Sequence, residues 1–199
     1  MAVTFDRIKY TGRKQAFWRG EAKILPAGFH VNNTIAVGTL VKRGAFIALD
    51  HDTLSCGLVK VGEVITGGTA TKPRVAKDNY FAVGDTVFAV GGTATAVIKS
   101  IDATHSDYDV ITFDSALTGL AAGAFLVEAD TTGDTAKQKY TANAVVGADK
   151  HWKEQGSETL DAAYDVLVIK DNVPTFPKEW IAEGGFHLAT NPSIRFIKQ

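Results

Sequence analysis

Short apolar segments interrupted by glycine and aspartate turns run through this chain, and they restrict its fold more than any other feature. Between residues 93 and 99, apolar Ala94, Ala96 and Ile98 alternate with polar Thr93, Thr95 and Lys99, which is the period of a strand with one buried face. Gly91-Gly92 stands just before them and is typical of a hairpin turn, because glycine adopts positive φ without a steric penalty. The chain has 19 glycines and shows neither heptads nor a longer repeat. The sequence therefore predicts an all-β fold.

Two β-rich units are predicted from the spacing of these segments. Residues 74–129 hold several short strand segments joined by tight turns, which favours a small β-barrel or sandwich module with few open edges. A second β-rich domain is expected to combine residues 31–66 with residues 144–199. The small module is expected to be inserted in this second domain or to follow it.

Polar stretches mark the expected boundaries between these units. Residues 67–74 are rich in glycine and threonine and are predicted to be the first connection, and residues 130–143 are predicted to be a linker. Residues 1–30 are polar and irregular and are interpreted as an N-terminal arm, which needs a partner to become ordered. A basic cluster from Lys9 to Arg19 lies in this arm. It could contact nucleic acid, but we favour a solvated segment or a docking arm.

Net charge and cysteine content narrow the function. The formal charge is −1 and the sequence pI is about 6.5, which argues against a nucleic-acid-binding protein. The first residues lack the basic and apolar regions of a signal peptide, and no stretch approaches the roughly 18–20 apolar residues of a membrane span. The single cysteine, Cys56, excludes an intrachain disulfide. We expect a soluble protein, without a membrane partner, that is made in the cytoplasm of a host cell.

No motif predicts catalysis or a cofactor. Cys56 could pair with a histidine, but its neighbours resemble an ordinary strand and turn, so we interpret it as an inert thiol. Asp102, Asp107 and Asp109 with His105 resemble an oxygen-ligand loop, but they lack the spacing, central glycine and terminal glutamate of a calcium loop. We therefore predict a non-enzymatic protein with neither cofactor nor metal. A hydrolase of cell-surface polymers is a minor alternative.

Four short motifs resemble the head-fibre and auxiliary capsid (decoration) proteins of tailed phages, including phages that infect Bacteroidetes. They are IAVGTLVKRG at 35–44, NYFAVGDTV at 79–87, IKSID with YDVITF at 98–102 and 108–113, and NPSIRFI at 191–197. The resemblance extends over residues 35–199. It implies a virion protein on the outer surface of the capsid, bound to the major capsid protein and self-associated as a trimer or dimer. The chain has no shaft repeats, so a compact decoration protein and a fibre are both consistent with it.

Two aromatic segments are the candidates for attachment, because aromatic and arginine side chains are favoured at the centres of interfaces. One lies in the predicted arm and the other near the C-terminus. The candidate interface residues are Phe17, Trp18, Arg19, Phe176, Trp180, Phe186 and Phe196. One segment is expected to bind the capsid while the other supports self-association. The alternative is that the C-terminal aromatics complete the core of the second domain.

A binding module for glycans or for a host surface protein is the main alternative function. Four aromatic residues could form platforms for sugar rings: Tyr80, Phe81, Tyr108 and Trp152. Packing of these rings in a core is the simpler interpretation.

Overall fold

A computed structural model describes residues 17–153 and 159–198, which form fifteen strands and two short 3-10 helices. The helices are Lys170–Asn172 and Lys178–Trp180. The strands are β1 Trp18–Val31, β2 Leu40–Val41, β3 Phe46–Asp50, β4 Ser55–Leu58, β5 Val61–Ile65, β6 Arg74–Ala76, β7 Thr86–Ala89, β8 Thr95–Asp102, β9 Tyr108–Phe113, β10 Phe125–Glu128, β11 Ala144–Val146, β12 Lys150–His151, β13 Thr159–Ile169, β14 His187–Leu188 and β15 Asn191–Ile197. The predicted all-β class is confirmed.

Seven strands form one sheet in the order β1-β4-β3-β11-β13-β15-β14. Strand β1 pairs with β13 as well as with β4, so β1, β4, β3, β11 and β13 close into a ring from which β15 and β14 extend. Strands β2 and β12 form a separate two-stranded sheet beside it. We call these nine strands the sheet domain.

Strands in the middle of the sheet domain bury both faces. Phe46 and Val145 belong to one apolar cluster, whereas their neighbours Ile47 and Val146 belong to a second cluster. Successive side chains of a strand point to opposite faces, so two cores on opposite sides of the sheet require apolar residues at consecutive positions. This requirement explains why residues 144–146 are apolar without alternation.

The remaining six strands close into a barrel in the order β10-β5-β6-β9-β8-β7, with antiparallel pairs throughout. Its interior is filled by apolar side chains such as Val75, Ile98, Ile111 and Leu126, each at most 1% exposed. Closure leaves no unpaired strand edge. The predicted small barrel is confirmed, and it is inserted in the sheet domain, since β4 precedes it and β11 follows it.

The start of the barrel corrects one predicted boundary. Residues 61–65 were expected in the second domain with residues 31–66, but as β5 they pair with β6 and β10 of the barrel. The glycine-rich stretch that begins at Gly67 is a turn between β5 and β6, where Gly67 adopts a φ of +94°. The true entry point, Val59-Lys60, is buried and has no turn residues. The glycine-rich stretch therefore marks a turn inside the barrel and not the boundary between the two units.

The predicted N-terminal arm is also corrected for its described part. Residues 1–16 lie outside the described residues, but residues 18–31 form the long strand β1, paired with most of β13. The pairing is interrupted by three register shifts, between Arg19 and Lys23, between Lys23 and Ile24, and between Leu25 and Phe29. Bulges of this kind break the alternation of apolar and polar residues, so the segment reads as irregular in sequence.

The predicted linker, residues 130–143, is partly packed. Its second half carries Ala142, which is buried, and Tyr140, whose ring lies directly against Gly57 of β4. Any side chain at Gly57 would collide with that ring. The linker is therefore a surface segment at its start and part of the sheet domain's core at its end.

We predict that a fragment of residues 60–129 folds alone, whereas a fragment of residues 74–129 does not. Without β5, strands β6 and β10 lose their shared partner and the barrel opens at two edges. Thermal melting followed by circular dichroism should give a cooperative transition only for the longer fragment. Equal cooperativity in both fragments would show that β5 is dispensable for the barrel.

Candidate functional site

A buried cluster of charged residues lies where the chain enters and leaves the barrel. Lys60 is 1% exposed and stands between β4 and β5. Its Nζ donates to Asp85 Oδ2 at 2.6 Å. The same Asp85 oxygen accepts the backbone N–H of Ala82 at 2.7 Å. We call Lys60, Asp85, Glu128 and their partners the joint, because Lys60 precedes the first barrel strand and Glu128 ends the last one.

Glu128 gathers groups from three parts of the chain at the joint. It is 4% exposed, and its Oε2 lies 4.0 Å from Lys60 Nζ. Asn33 Nδ2 donates to Glu128 Oε2 at 3.2 Å, and Lys139 Nζ donates to Glu128 Oε1 at 2.7 Å. Burial lowers the pKa of Lys139, but the hydrogen bond and charge of Glu128 outweigh this and leave that pKa raised. The two lysines balance the charges of Asp85 and Glu128.

The burial of these charged side chains costs free energy, because they lose their contacts with water. Desolvation of an ion pair can exceed its Coulombic attraction, so the pair is favourable only with good geometry and further hydrogen bonds. The joint meets both conditions, because every buried side-chain nitrogen and oxygen among the described residues has a hydrogen-bond partner. Removal of one partner would leave the other charged and buried.

A second connection between the barrel and the sheet domain comes from the loop between β6 and β7. Tyr80 is 9% exposed and belongs to the apolar core of the sheet domain, although it lies in the chain of the barrel. Its hydroxyl oxygen accepts the backbone N–H of Lys42 at 3.1 Å, and Asp78 forms an ion pair with the Lys42 side chain at 2.7 Å. Burial raises the pKa of Tyr80. Asp78 and Tyr80 both have positive φ, at 64° and 62°, a strained conformation that surrounding contacts must enforce.

A groove with a volume of about 440 Å³ runs beside this second connection. It lies between the loop 78–83 and the residues around β2. Its polar groups already bond one another, since Asn79 donates to Asp109 at 2.8 Å and Asp109 accepts from Lys77 at 2.5 Å. Asn79 and Asp109 in the wall of the groove therefore already have partners within the protein.

Most of the predicted interface residues lie inside the protein's own core. Phe17 is 1% exposed, and Phe176 and Phe196 are each 6% exposed. All three belong to one cluster of the sheet domain, where Phe176 and Phe196 contact Phe46 edge-on or tilted. These three rings are consequently not available to a partner in this conformation. The alternative that the C-terminal aromatics complete a core holds for Phe176 and Phe196.

The other four candidates remain at the surface to different degrees. Trp18 and Trp180 are half-buried against the same cluster, and Arg19 is exposed. Phe186 is 58% exposed, although its backbone carbonyl accepts the N–H of Phe196 at 2.7 Å. An exposed phenylalanine held by the backbone of β15 is a fixed apolar contact point. Of the seven predicted residues, Phe186 fits an interface best.

The four aromatic residues considered as sugar platforms are largely covered. Tyr80, Phe81 and Trp152 are at most 9% exposed. Tyr108 is half-buried, with its ring stacked on His105 at 4.4 Å and the Arg74 guanidinium 4.8 Å from its centre. Little of these ring faces is left for a sugar.

Cys56, which was considered for catalysis, is buried, and two of the aspartates considered for metal binding accept hydrogen bonds. Cys56 is 1% exposed, and burial raises the pKa of its thiol to about 11. Asp102 accepts hydrogen bonds from Thr104, and Asp109 is bound to Lys77 and Asn79. Within residues 17–153 and 159–198, no three His, Cys, Asp or Glu side chains are grouped so that they could hold a metal ion.

Comparisons with known proteins give no match. No protein-family model fits the chain, and neither a curated protein nor a solved structure matches it significantly. In the described part of the chain, no helix has the length and apolar character needed to cross a membrane.

Sequence analysis did not predict the joint, although one feature of the sequence indicates it. Lys60 interrupts the apolar run Leu58-Val59-Lys60-Val61. A lysine in such a run requires a carboxylate partner when it is buried. The sequence does not reveal that Asp85 and Glu128 supply it, because they are distant along the chain.

We predict that Lys60→Met lowers the free energy of unfolding by about 3–5 kcal/mol, because Asp85 is left buried without its cation. Urea denaturation measures this change. Lys42→Met is the matched control, since Lys42 forms an ion pair of similar length whose side chains are 48% and 31% exposed, and it should cost less than ~1 kcal/mol. Equal small losses in both variants would mean that the joint contributes no more than a surface pair.

We predict that Cys56 does not react with iodoacetamide in the native protein at about pH 8, because the thiolate is the nucleophile and the raised pKa keeps the thiol protonated. The same reagent should label the protein fully in denaturant. Mass spectrometry before and after denaturation measures both. Rapid labelling of the native protein would contradict the burial of this side chain.

Proposed function

We propose that the chain is a non-enzymatic structural protein that decorates the capsid surface of a tailed phage, as a compact decoration protein or as part of a head fibre. The sequence resemblance of residues 35–199 to head-fibre and auxiliary capsid proteins is the basis of this proposal. The all-β architecture, with a barrel inserted in a second closed sheet, is compatible with it. The major capsid protein and further copies of this chain are the proposed partners.

The observation that carries the proposal is the way in which the two bodies are joined. The hydrogen bond from Asn33 to the buried Glu128 and the inserted ring of Tyr80 connect the barrel to the sheet domain at two separate points. A rigid connection serves a protein whose role is to hold a shape on a large assembly. A domain that closes around a substrate would instead need a hinge at such a place.

Attachment is proposed to involve the surface around Phe186. A large exposed apolar side chain becomes favourable when a partner covers it. Truncation of residues 176–199 would not test this surface, because β15 and the buried Phe176 and Phe196 would be lost with it. A point substitution at Phe186 leaves the core intact.

We predict that the purified chain binds virions of the phage that encodes it, and that an antibody against it labels the outside of their capsids in negative-stain images. Virions that lack this protein should remain unlabelled and should recover the label after addition of the purified chain. Absence of the chain from purified virions would refute the capsid role. Binding to a glycan array without binding to capsids would favour the glycan-binding alternative.

Substitution of Phe186 tests the attachment surface in the same assay. Phe186→Ser should reduce capsid binding at least tenfold, a change of about 1.4 kcal/mol, or abolish the native oligomer mass. Leu54→Ser is the control, because Leu54 is 60% exposed but lies in the turn between β3 and β4. If Phe186→Ser retains both properties, another surface makes the attachment.

A further inference from the structure

We propose that Lys60 and Asp85 become joined by an intramolecular isopeptide bond, with Glu128 as the proton-transfer group. This modification concerns the joint alone and is independent of the capsid role proposed above. The starting observation is the 2.6 Å separation of Lys60 Nζ and Asp85 Oδ2 in a site where both side chains are at most 9% exposed.

The first requirement is a nucleophile close to its electrophile. Lys60 Nζ lies 2.6 Å from Asp85 Oδ2, so the two groups are in contact, as an attack that begins at roughly 3–3.5 Å from the carboxyl carbon requires. Attack requires the neutral amine, which forms when the Lys60 ammonium gives up one proton. Lys60 has no exposed side-chain surface through which water could stabilise its charge.

The second requirement is stabilisation of the oxyanion that forms during attack. Asp85 Oδ2 accepts the backbone N–H of Ala82 at 2.7 Å. When the amine adds to the carboxyl carbon, negative charge builds on this oxygen, and a donor already in place stabilises it without reorganisation. Oδ2 then becomes the carbonyl oxygen of the new amide and keeps the same hydrogen bond.

The third requirement is a group that moves protons. Glu128 Oε2 lies 4.0 Å from Lys60 Nζ, and Asn33 and Lys139 hold the carboxylate in place. In the proposed reaction, Glu128 takes two protons from the nitrogen in turn, one before the attack and one after it, and passes both to Asp85 Oδ1, which then leaves as water. In balance, one ammonium and one carboxylate give one amide and one water molecule, with no oxidant or further reactant.

The expected consequence is a covalent link across the base of the barrel. The bond would close a loop between two residues that lie 25 positions apart in the chain. A cross-link of this kind restricts the unfolded chain and so favours the folded state. The chain has a single cysteine, so a disulfide within the chain cannot provide such a link.

The test is the intact mass of the denatured wild-type protein. The bond predicts a mass lower than the sequence mass by one water molecule. Trypsin should then yield residues 44–74 joined to residues 78–99, because acylated Lys60 is not cleaved. Wild-type protein at its full sequence mass, without this linked peptide, would overturn the proposal and leave the joint as an ion pair.

Single-residue variants distinguish the isopeptide bond from other reactions that remove one water molecule from the protein. Lys60→Met and Asp85→Ala should both return to their full sequence masses, and Glu128→Gln should do so while it keeps the circular dichroism spectrum of a folded protein. Lys42→Met should keep the deficit, since its own ion pair is exposed. A deficit that persists in Lys60→Met would identify a cyclised aspartate and refute the isopeptide bond.

Discussion

The buried ion pairs of Lys60 with Asp85 and Glu128 hold the base of the barrel together, and Glu128 links this base to the sheet domain through Asn33. Lys60 lies at the single place where the chain crosses from the sheet domain into the barrel, and Glu128 stands where the chain returns. Because all three groups are buried, each is held by the others, and none can move into solvent without leaving an unpaired charge. The barrel is thus fixed at its base by electrostatics rather than by a large apolar contact alone.

Backbone strain supports this arrangement from a second side. Asp78 and Tyr80 adopt positive φ, and the contacts that enforce this conformation are an ion pair and a hydrogen bond to Lys42, together with burial of the tyrosine ring in the neighbouring core. Strain of this type persists only where the surroundings determine the conformation. The barrel is connected to the sheet domain at two points, through Glu128 and through the ring of Tyr80, and two separated contacts oppose rotation about either one. Such rigidity suits the proposed structural role.

Phenylalanines that lie close together in the C-terminal sequence differ in whether they are buried or exposed. Phe176 and Phe196 pack around Phe46 in the core on one face of β3 and β13. Phe186 lies in the same C-terminal stretch, but the short connection before β14 turns its side chain outwards. Charged residues show the same contrast. Lys42 and Lys60 form ion pairs of nearly equal length, but only the ion pair of Lys60 is buried.

The sequence by itself determined the all-β class, the presence of a small barrel and the burial of Cys56, because glycine turns, strand-length apolar segments and burial-prone residue types are local signals. It did not determine where the barrel begins, since the turn at Gly67 resembles a domain boundary and the true entry at Lys60 has no turn residues. It also missed the pairing of residues 18–31 with β13, which bulges disguise. Only the tertiary structure could decide which aromatics are buried and which carboxylates meet Lys60, because those contacts join residues that lie far apart in the chain.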